Sequence, residues 1–251
     1  MSSFPFLDHP GPIPFAHRGG ASEAPENTLP AFQHAVDLGF RYLETDVHAT
    51  ADGVLVAFHD DRLDRVTDKT GVIGDLPWSE VSRARVGGSE PIPLLEDVLG
   101  TWPDVRVNID PKADESVDPL IETIRRTGAV DRVCVGAFSD ERVARVRDAF
   151  DGRLCTGMGP DEMVDLIRAF QGHEVTFRSA SAQIPPVDPK GRPLATPELV
   201  ATAHEHGIAV HIWTIDDPDE MRALLDVGVD GIMTDRPAVL RAVFEERGIW
   251  H

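Results

Sequence analysis

Four short runs crowd the first 60 residues: His17-Arg18-Gly19-Gly20, Pro25-Glu26-Asn27-Thr28, Glu44-Thr45-Asp46 and His59-Asp60. Two imidazoles can remove one proton and supply another near neutral pH. Arg18 can grip anionic oxygens bidentately, and Glu26 is placed to hold that guanidinium. Glu44 and Asp46, two apart, share one face if the run is a strand, and Asp110 and Lys112 repeat that spacing further on. Three carboxylates aimed at one place repel unless a cation lies between them, and such oxygen ligands favour Mg²⁺ or Ca²⁺ over zinc. Lys112 adds a point charge against developing negative charge. Together these groups make a kit for splitting a phosphodiester. The plainer alternative is a solvated rim on which the acids pair with arginines.

Positioning these groups falls to the elements around them. Strand patterns occur at residues 15–17, 42–48, 105–109, 132–138, 154–157, 181–184, 209–215 and 231–234, eight in all. Helical patterns fall between them, at about 29–38, 95–99, 119–126, 140–150, 161–170, 197–206, 218–226 and 238–247. Asp217-Pro218-Asp219-Glu220 combines an N-cap, a proline at the first helical position and a capping-box glutamate, and Gly228 ends that helix. Alternation of strand and helix implies parallel strands with right-handed crossovers. Eight units with no change of composition predict a single domain over 1–251, a (β/α)8 TIM barrel. The runner-up, an open doubly wound sheet, usually carries a glycine-rich phosphate loop, and Gly19-Gly20 is too sparse for one. An extra strand at 54–58 and turn-rich text at about 60–93 predict a small insertion after the second strand, over the barrel mouth. Reactive groups on such a barrel belong at the C-terminal ends of its strands.

The chain carries 43 acidic against 24 basic residues, a net charge of −19. That balance opposes a nucleic-acid partner, and an anionic substrate then needs a locally positive site. No apolar run is long enough to span a membrane. Residues 1–14 lack a basic region followed by an apolar one, so no export signal is expected and cytoplasmic residence is the default. Cys134 and Cys155, each in a strand-like stretch, read as buried thiols.

The run from His17 to His59, the Asn108-Ile109-Asp110-Pro111-Lys112 strand end, Trp213-Thr214 and the close at 231–237 resemble the glycerophosphodiester phosphodiesterase family, over about residues 15–243. The resemblance implies a TIM barrel with a small insertion after the second strand. It implies His17 and His59 as the acid/base pair, Arg18 and Lys112 on the phosphate, and Trp213 along the substrate pocket. It implies one divalent metal held by Glu44, Asp46 and the carboxylate at 110. The family usually has glutamate where this chain has Asp110, and the shorter side chain needs a closer backbone or a water bridge to reach a metal. The implied reaction turns a glycerophosphodiester into glycerol 3-phosphate and an alcohol, through a cyclic phosphate opened by water.

Rival readings remain at this level. Related barrels act on lysophospholipids, in the manner of a phospholipase D, and a barrel that has lost activity would only bind phosphoesters. A metal-dependent amidohydrolase would want His-x-His on the first strand, where this chain has His-Arg-Gly. His204-Glu205-His206 resembles a metal-ligating pair, but residues two apart on a helix diverge, so it is read as surface. His48 either supports Asp46 or packs, and His211 and Trp213 face the barrel interior as packing or pocket wall. Asp235-Arg236 is read as fixing the last loop, and Trp78 and Trp102 as packing anchors.

Overall fold

Four helices begin where a side chain takes up orphan amide hydrogens of the first turn. Thr28, Ser139, Thr196 and Asp217 each accept from the backbone of the turn they open, and prolines occupy the first turn after three of them. The structure is a computed structural model that describes residues 4–251, so the first three residues of the stretch 1–14, read as lacking an export signal, lie outside it. In chain order its elements are β1 (Ile13–Ala16), α1 (Leu29–Asp37), β2 (Tyr42–Ala49), β3 (Leu55–Ala57), α2 (Trp78–Val81), β4 (Arg85–Val86), β5 (Glu90–Pro91), α3 (Leu95–Thr101), β6 (Arg106–Pro111) and α4 (Val117–Thr127). There follow β7 (Val133–Val135), α5 (Asp140–Ala149), β8 (Cys155–Thr156), α6 (Pro160–Phe170), β9 (Ser181–Ile184), α7 (Pro197–Glu205), β10 (Ala209–Ile212), α8 (Pro218–Val227), β11 (Gly231–Thr234) and α9 (Pro237–Glu246).

Eight strands pair in parallel in the order β8-β7-β6-β2-β1-β11-β10-β9. The ends of that row meet through Ala180 N to Thr156 O at 3.0 Å and Met158 N to Ser181 O at 2.8 Å. The result is the expected (β/α)8 TIM barrel, with its narrowest seam between β8 and β9. Expected strands at 132–138 and 209–215 are shorter than their sequence pattern, because the chain leaves the ladder at the rim. Gly136 N still reaches Ile109 O at 3.1 Å and Trp213 N reaches Ile184 O at 3.1 Å, one bond past each strand. His17, expected within a strand, stands just beyond β1 in the 3-10 turn His17–Gly19.

Strand period two divides the residues between two cores. On β2, Leu43 and Val47 pack outward against the helices, while Tyr42 belongs to a floor cluster with Phe6, Phe15, Cys134, Cys155 and Met233. Tyr42 Oη donates to Phe6 O at 2.8 Å, so the N-terminal turn plugs the floor. The face that carries Tyr42 continues upward as Glu44 and Asp46. The apolar base and the acidic mouth therefore lie on one strand face. The two cysteines are free and buried on neighbouring strands, as expected. Trp102 packs edge-on to Phe32 on α1, also as read.

β3 turns back antiparallel on β2, and the chain that follows forms the expected insertion. It encloses Phe58, Leu63, Ile73, Val81, Val86 and Ile92, with Trp78 packed on that cluster. His204 pairs with Asp230 at 2.7 Å while His206 lies against Phe177, so the helix surface separates them.

His211 is fully buried, 5.0 Å from the Phe15 ring, and a Cβ on Gly231 would come within 2.9 Å of it. Its Nε2 has no hydrogen-bond partner. Burial pushes its pKa down to about 4, against a weaker pull from Asp230. Unfolded, the imidazole protonates near 6.5, so between those values the unfolded chain binds the extra proton. The stability tied to this group is whole above pH 6.5 and falls by roughly 3 kcal/mol as pH drops to 4. Urea titrations at pH 7 and pH 4 should show the gap in stability shrinking by about that amount in His211→Leu. An undiminished gap would contradict the assignment.

Candidate active site

The turn after β1 brings an imidazole and a guanidinium to the rim. Arg18 takes a left-handed backbone (φ 51°). Gly19 follows at φ 81°, where a Cβ would stand 2.8 Å from the Ala31 backbone, so only glycine lets the turn press onto α1. Arg18 N donates to Glu44 Oε2 at 3.0 Å, and its Nη1 to Glu26 Oε1 at 3.2 Å. Its Nε lies 3.1 Å from Asp46 Oδ2, close enough for charge attraction. The angle is wrong for a hydrogen bond, which leaves a buried donor unspent. His17 Nδ1 meets Asp235 Oδ1 at 2.6 Å, and its Nε2 stands 3.7 Å from Glu44 Oε2. Burial disfavours the charged ring, but Glu44 and Asp235 outweigh it and raise its pKa. Asp235-Arg236 does fix the last loop, through Ser22 N to Asp235 O at 3.0 Å and Arg236 Nη1 to Asp216 O at 3.3 Å, and the Asp235 carboxylate in addition orients the first histidine. Asp216 completes the anchoring, accepting from Thr234 Oγ1 at 2.9 Å and Asp235 N at 2.8 Å.

Asp46 and Asp110 face each other across β2 and β6 as register partners. The Lys112 ammonium stands between them, 2.7 Å from Asp46 Oδ1 and 2.6 Å from Asp110 Oδ2. Asn27 Nδ2 donates to Asp46 Oδ2 at 3.2 Å, and Thr45 Oγ1 donates to Asn27 Oδ1 at 2.7 Å. Burial opposes ionisation of Asp46, yet Lys112 and Arg18 prevail and hold its pKa below the usual carboxylate range. Glu44 has less help: burial, then the Asp46 charge, pushes it up to about 7. Burial raises Asp110 as well, against the pull of Lys112.

The second histidine comes from the start of the insertion. Phe58 N is tied to Asp46 O at 2.9 Å, and His48 Nε2 lies 3.1 Å from His59 O. His48 thus supports the loop that carries His59. His59 Nδ1 meets Asp60 Oδ1 at 2.6 Å. Asp60 also receives Arg65, whose hydrogen bonds, against burial and with help from His59, bring its pKa down to about 2. Trp213, just past β10, is half-buried against the floor cluster and edge-on to Phe138 at 5.7 Å. Phe138 itself is 72% exposed.

A chain of polar contacts therefore runs from His17 through Glu44, Arg18, Glu26, Arg65 and Asp60 to His59. Asp46, Lys112 and Asp110 branch from Arg18. All the expected polar site residues belong to this one network. The network has further members to which the sequence assigned no part in it: Asn27, Asp60, Arg65 and Asp235. Asn27 (φ 55°) had a faint signal, since asparagine tolerates the left-handed region. Arg65 had none, lying in a loop without periodicity.

The oxygen donors suit a hard cation in kind. Among the described residues, however, no three acidic, histidine or cysteine side chains draw close enough to enclose one. In this arrangement the Asp110 carboxylate is engaged by Lys112 rather than turned toward Glu44. Lys112 fills the space between the two aspartates, and an ion shared by all three carboxylates would have to displace that ammonium.

Asn27→Ala should destabilise the protein by about 2–4 kcal/mol in urea unfolding, combining left-handed strain with two abandoned buried partners. Asn27→Gly should recover about 1 kcal/mol of that, the backbone share. Equal losses in both variants would show that the backbone conformation does not matter.

Comparison with known proteins shows the family. Residues 17–239 match the glycerophosphoryl diester phosphodiesterase family. The chain is 41% identical to a probable glycerophosphodiester phosphodiesterase 2 of Mycobacterium tuberculosis, covering 98% of this chain and 95% of that protein. It is 30% identical to lysophospholipase D GDPD1 of Homo sapiens, covering 90% and 84% respectively. A solved structure from Silicibacter pomeroyi, named a putative glycerophosphoryl diester phosphodiesterase, superposes with a TM-score of 0.82 at 24% identity, covering 98% of this chain and 99% of that one, which speaks to fold alone. On the strength of the matched span and the near-complete overlap with these relatives, the chain belongs to the glycerophosphodiester phosphodiesterase family.

Proposed function

We infer that the protein hydrolyses glycerophosphodiesters to glycerol 3-phosphate and an alcohol. The observation that carries this is the joining of two carboxylate-oriented imidazoles and one guanidinium around a buried acidic pair. Family membership supplies the substrate class.

Each histidine has its Nδ1 beside an aspartate, Asp235 or Asp60. That partner fixes the tautomer and leaves Nε2 to handle a proton. One imidazole takes the proton of a glycerol hydroxyl as its oxygen bonds to phosphorus; the other gives a proton to the departing alcohol oxygen as its bond to phosphorus breaks. Water then opens the cyclic phosphate with the two roles exchanged. Arg18 holds a non-bridging oxygen with the donors its carboxylates leave free, and Lys112 balances the charge that develops. Glu44 and Asp46, joined by Asp110 once the Lys112 ammonium is displaced from between the two aspartates, would hold one divalent cation, Mg²⁺ or Ca²⁺. When bound, it would add positive charge beside the phosphate and ease ionisation of the attacking hydroxyl.

A second reading is favoured by the exposed Phe138 ring against Trp213. An apolar wall at the rim suits the acyl chain of a lysophospholipid, and the human relative is named a lysophospholipase D.

Glycerol 3-phosphate release from glycerophosphocholine, glycerophosphoethanolamine and glycerophosphoinositol should require added Mg²⁺, Ca²⁺ or Mn²⁺ and vanish with chelator. Turnover that survives chelator would defeat the metal assignment. Alcohol release from lysophosphatidylcholine at a comparable kcat/KM would favour the second reading. His17→Ala and His59→Ala should each cost about 10²- to 10⁴-fold in kcat. The histidine that protonates the alcohol should lose least with a p-nitrophenyl leaving group. Near-normal turnover of His59→Ala on a poor leaving group would remove it from the chemistry.

A further inference from the structure

Arg65 ends the 3-10 turn Leu63–Arg65 of the insertion, with 48% of its side chain exposed. Its guanidinium meets two carboxylates at once. Nε and Nη2 donate to the two oxygens of Asp60 at 2.6 and 3.0 Å. Nη1 and Nη2 donate to the two oxygens of Glu26 at 2.8 and 2.7 Å. Beyond Asp60 lies His59, and beyond Glu26 lies Arg18. A lone surface ion pair would matter little. Two fork-to-fork pairs, to carboxylates mostly turned inward, are far more demanding of geometry.

We propose that Arg65 is a positioning residue for the reaction, holding the His59 imidazole and the Arg18 guanidinium in one fixed relation across the barrel mouth. The proposal rests on the functional reading above. His59 and Asp60 are neighbours in a loop, so Asp60 can fix the imidazole only if its own carboxylate is fixed. Without Arg65 that carboxylate is free to turn to water, and Nδ1 loses the partner that keeps Nε2 the working nitrogen. Glu26 is released by the same loss, and with it one of the contacts that aims Arg18. The insertion is then a structural part of the catalytic mouth as well as a cover for it. Arg65 touches neither Glu44, Asp46 nor Lys112 among its hydrogen-bond and ion-pair partners, so its removal leaves the buried charges paired.

The test compares wild type, Arg65→Met and Arg65→Lys by steady-state kinetics on glycerophosphocholine and by proton NMR of the His59 Nδ1–H, recognised by its absence in His59→Gln. Arg65→Met should lower kcat about 10- to 100-fold, raise KM and erase the imidazole signal. Arg65→Lys keeps the charge without the fork and should fall between; it decides on the same readouts if the methionine variant does not fold. Asp60→Asn on top of Arg65→Met should cost little more, because the two act as one unit. The proposal fails if Arg65→Met keeps kcat within a factor of about two, if the His59 signal is unchanged, or if the two losses multiply in full. Should wild type release no glycerol 3-phosphate, the functional reading falls, while the NMR signal in Arg65→Met still decides whether Arg65 orients His59.

Discussion

A single buried carboxylate organises the mouth of this barrel. Asp46 is 1% exposed, and an ionised group so far from water persists only when cations and donors surround it. Lys112 from just past β6, Arg18 from the turn after β1 and Asn27 from the segment before α1 converge to satisfy it. Three separate loops are thereby fixed relative to one strand. Each of the three carries something else: Arg18 leads to His17, Lys112 to Asp110, and Asn27 to the Glu26 pair. Removing the charge at this point would release all of them.

Glu44 shows the other side of that arrangement. Two residues down the same strand face, it shares the burial but forms no ion pair with the Arg18 or Lys112 side chain, and burial with the Asp46 charge pushes its pKa up to about 7. Two acids on one strand face thus have opposite electrostatic fates, decided by which loops reach them. Added positive charge beside Glu44 would favour its ionised form. The chain's overall acidity is no obstacle, since the fields that matter here act over a few ångströms and largely outweigh screened surface charge.

Much of this was legible in the residue order. Alternating β-branched runs and capped helices specify eight units, and strand parity alone places Tyr42, Glu44 and Asp46 on one face. His17, Arg18, Glu26 and His59 could be picked out because residue types of that reactivity are rarely so densely spaced. What escaped was contact across loops. Asp235 lies 218 positions from His17, and no local pattern marks it as that histidine's partner. Arg65 lies in text whose only periodicity is that of turns. The place of Lys112 escaped in the same way: spacing showed that it shares a face with Asp110, but not that it would fold back between the two aspartates.

The central claim is that Asp46 holds the reacting groups in place through its charge rather than its bulk. The most direct measurement is the rate of glycerol 3-phosphate release by Asp46→Asn at saturating Mg²⁺, beside its stability to urea. The account predicts a folded protein whose turnover falls about a thousandfold or more, a loss of the size found for electrostatic groups in water-excluded sites. Turnover close to wild type in a folded Asp46→Asn would contradict it.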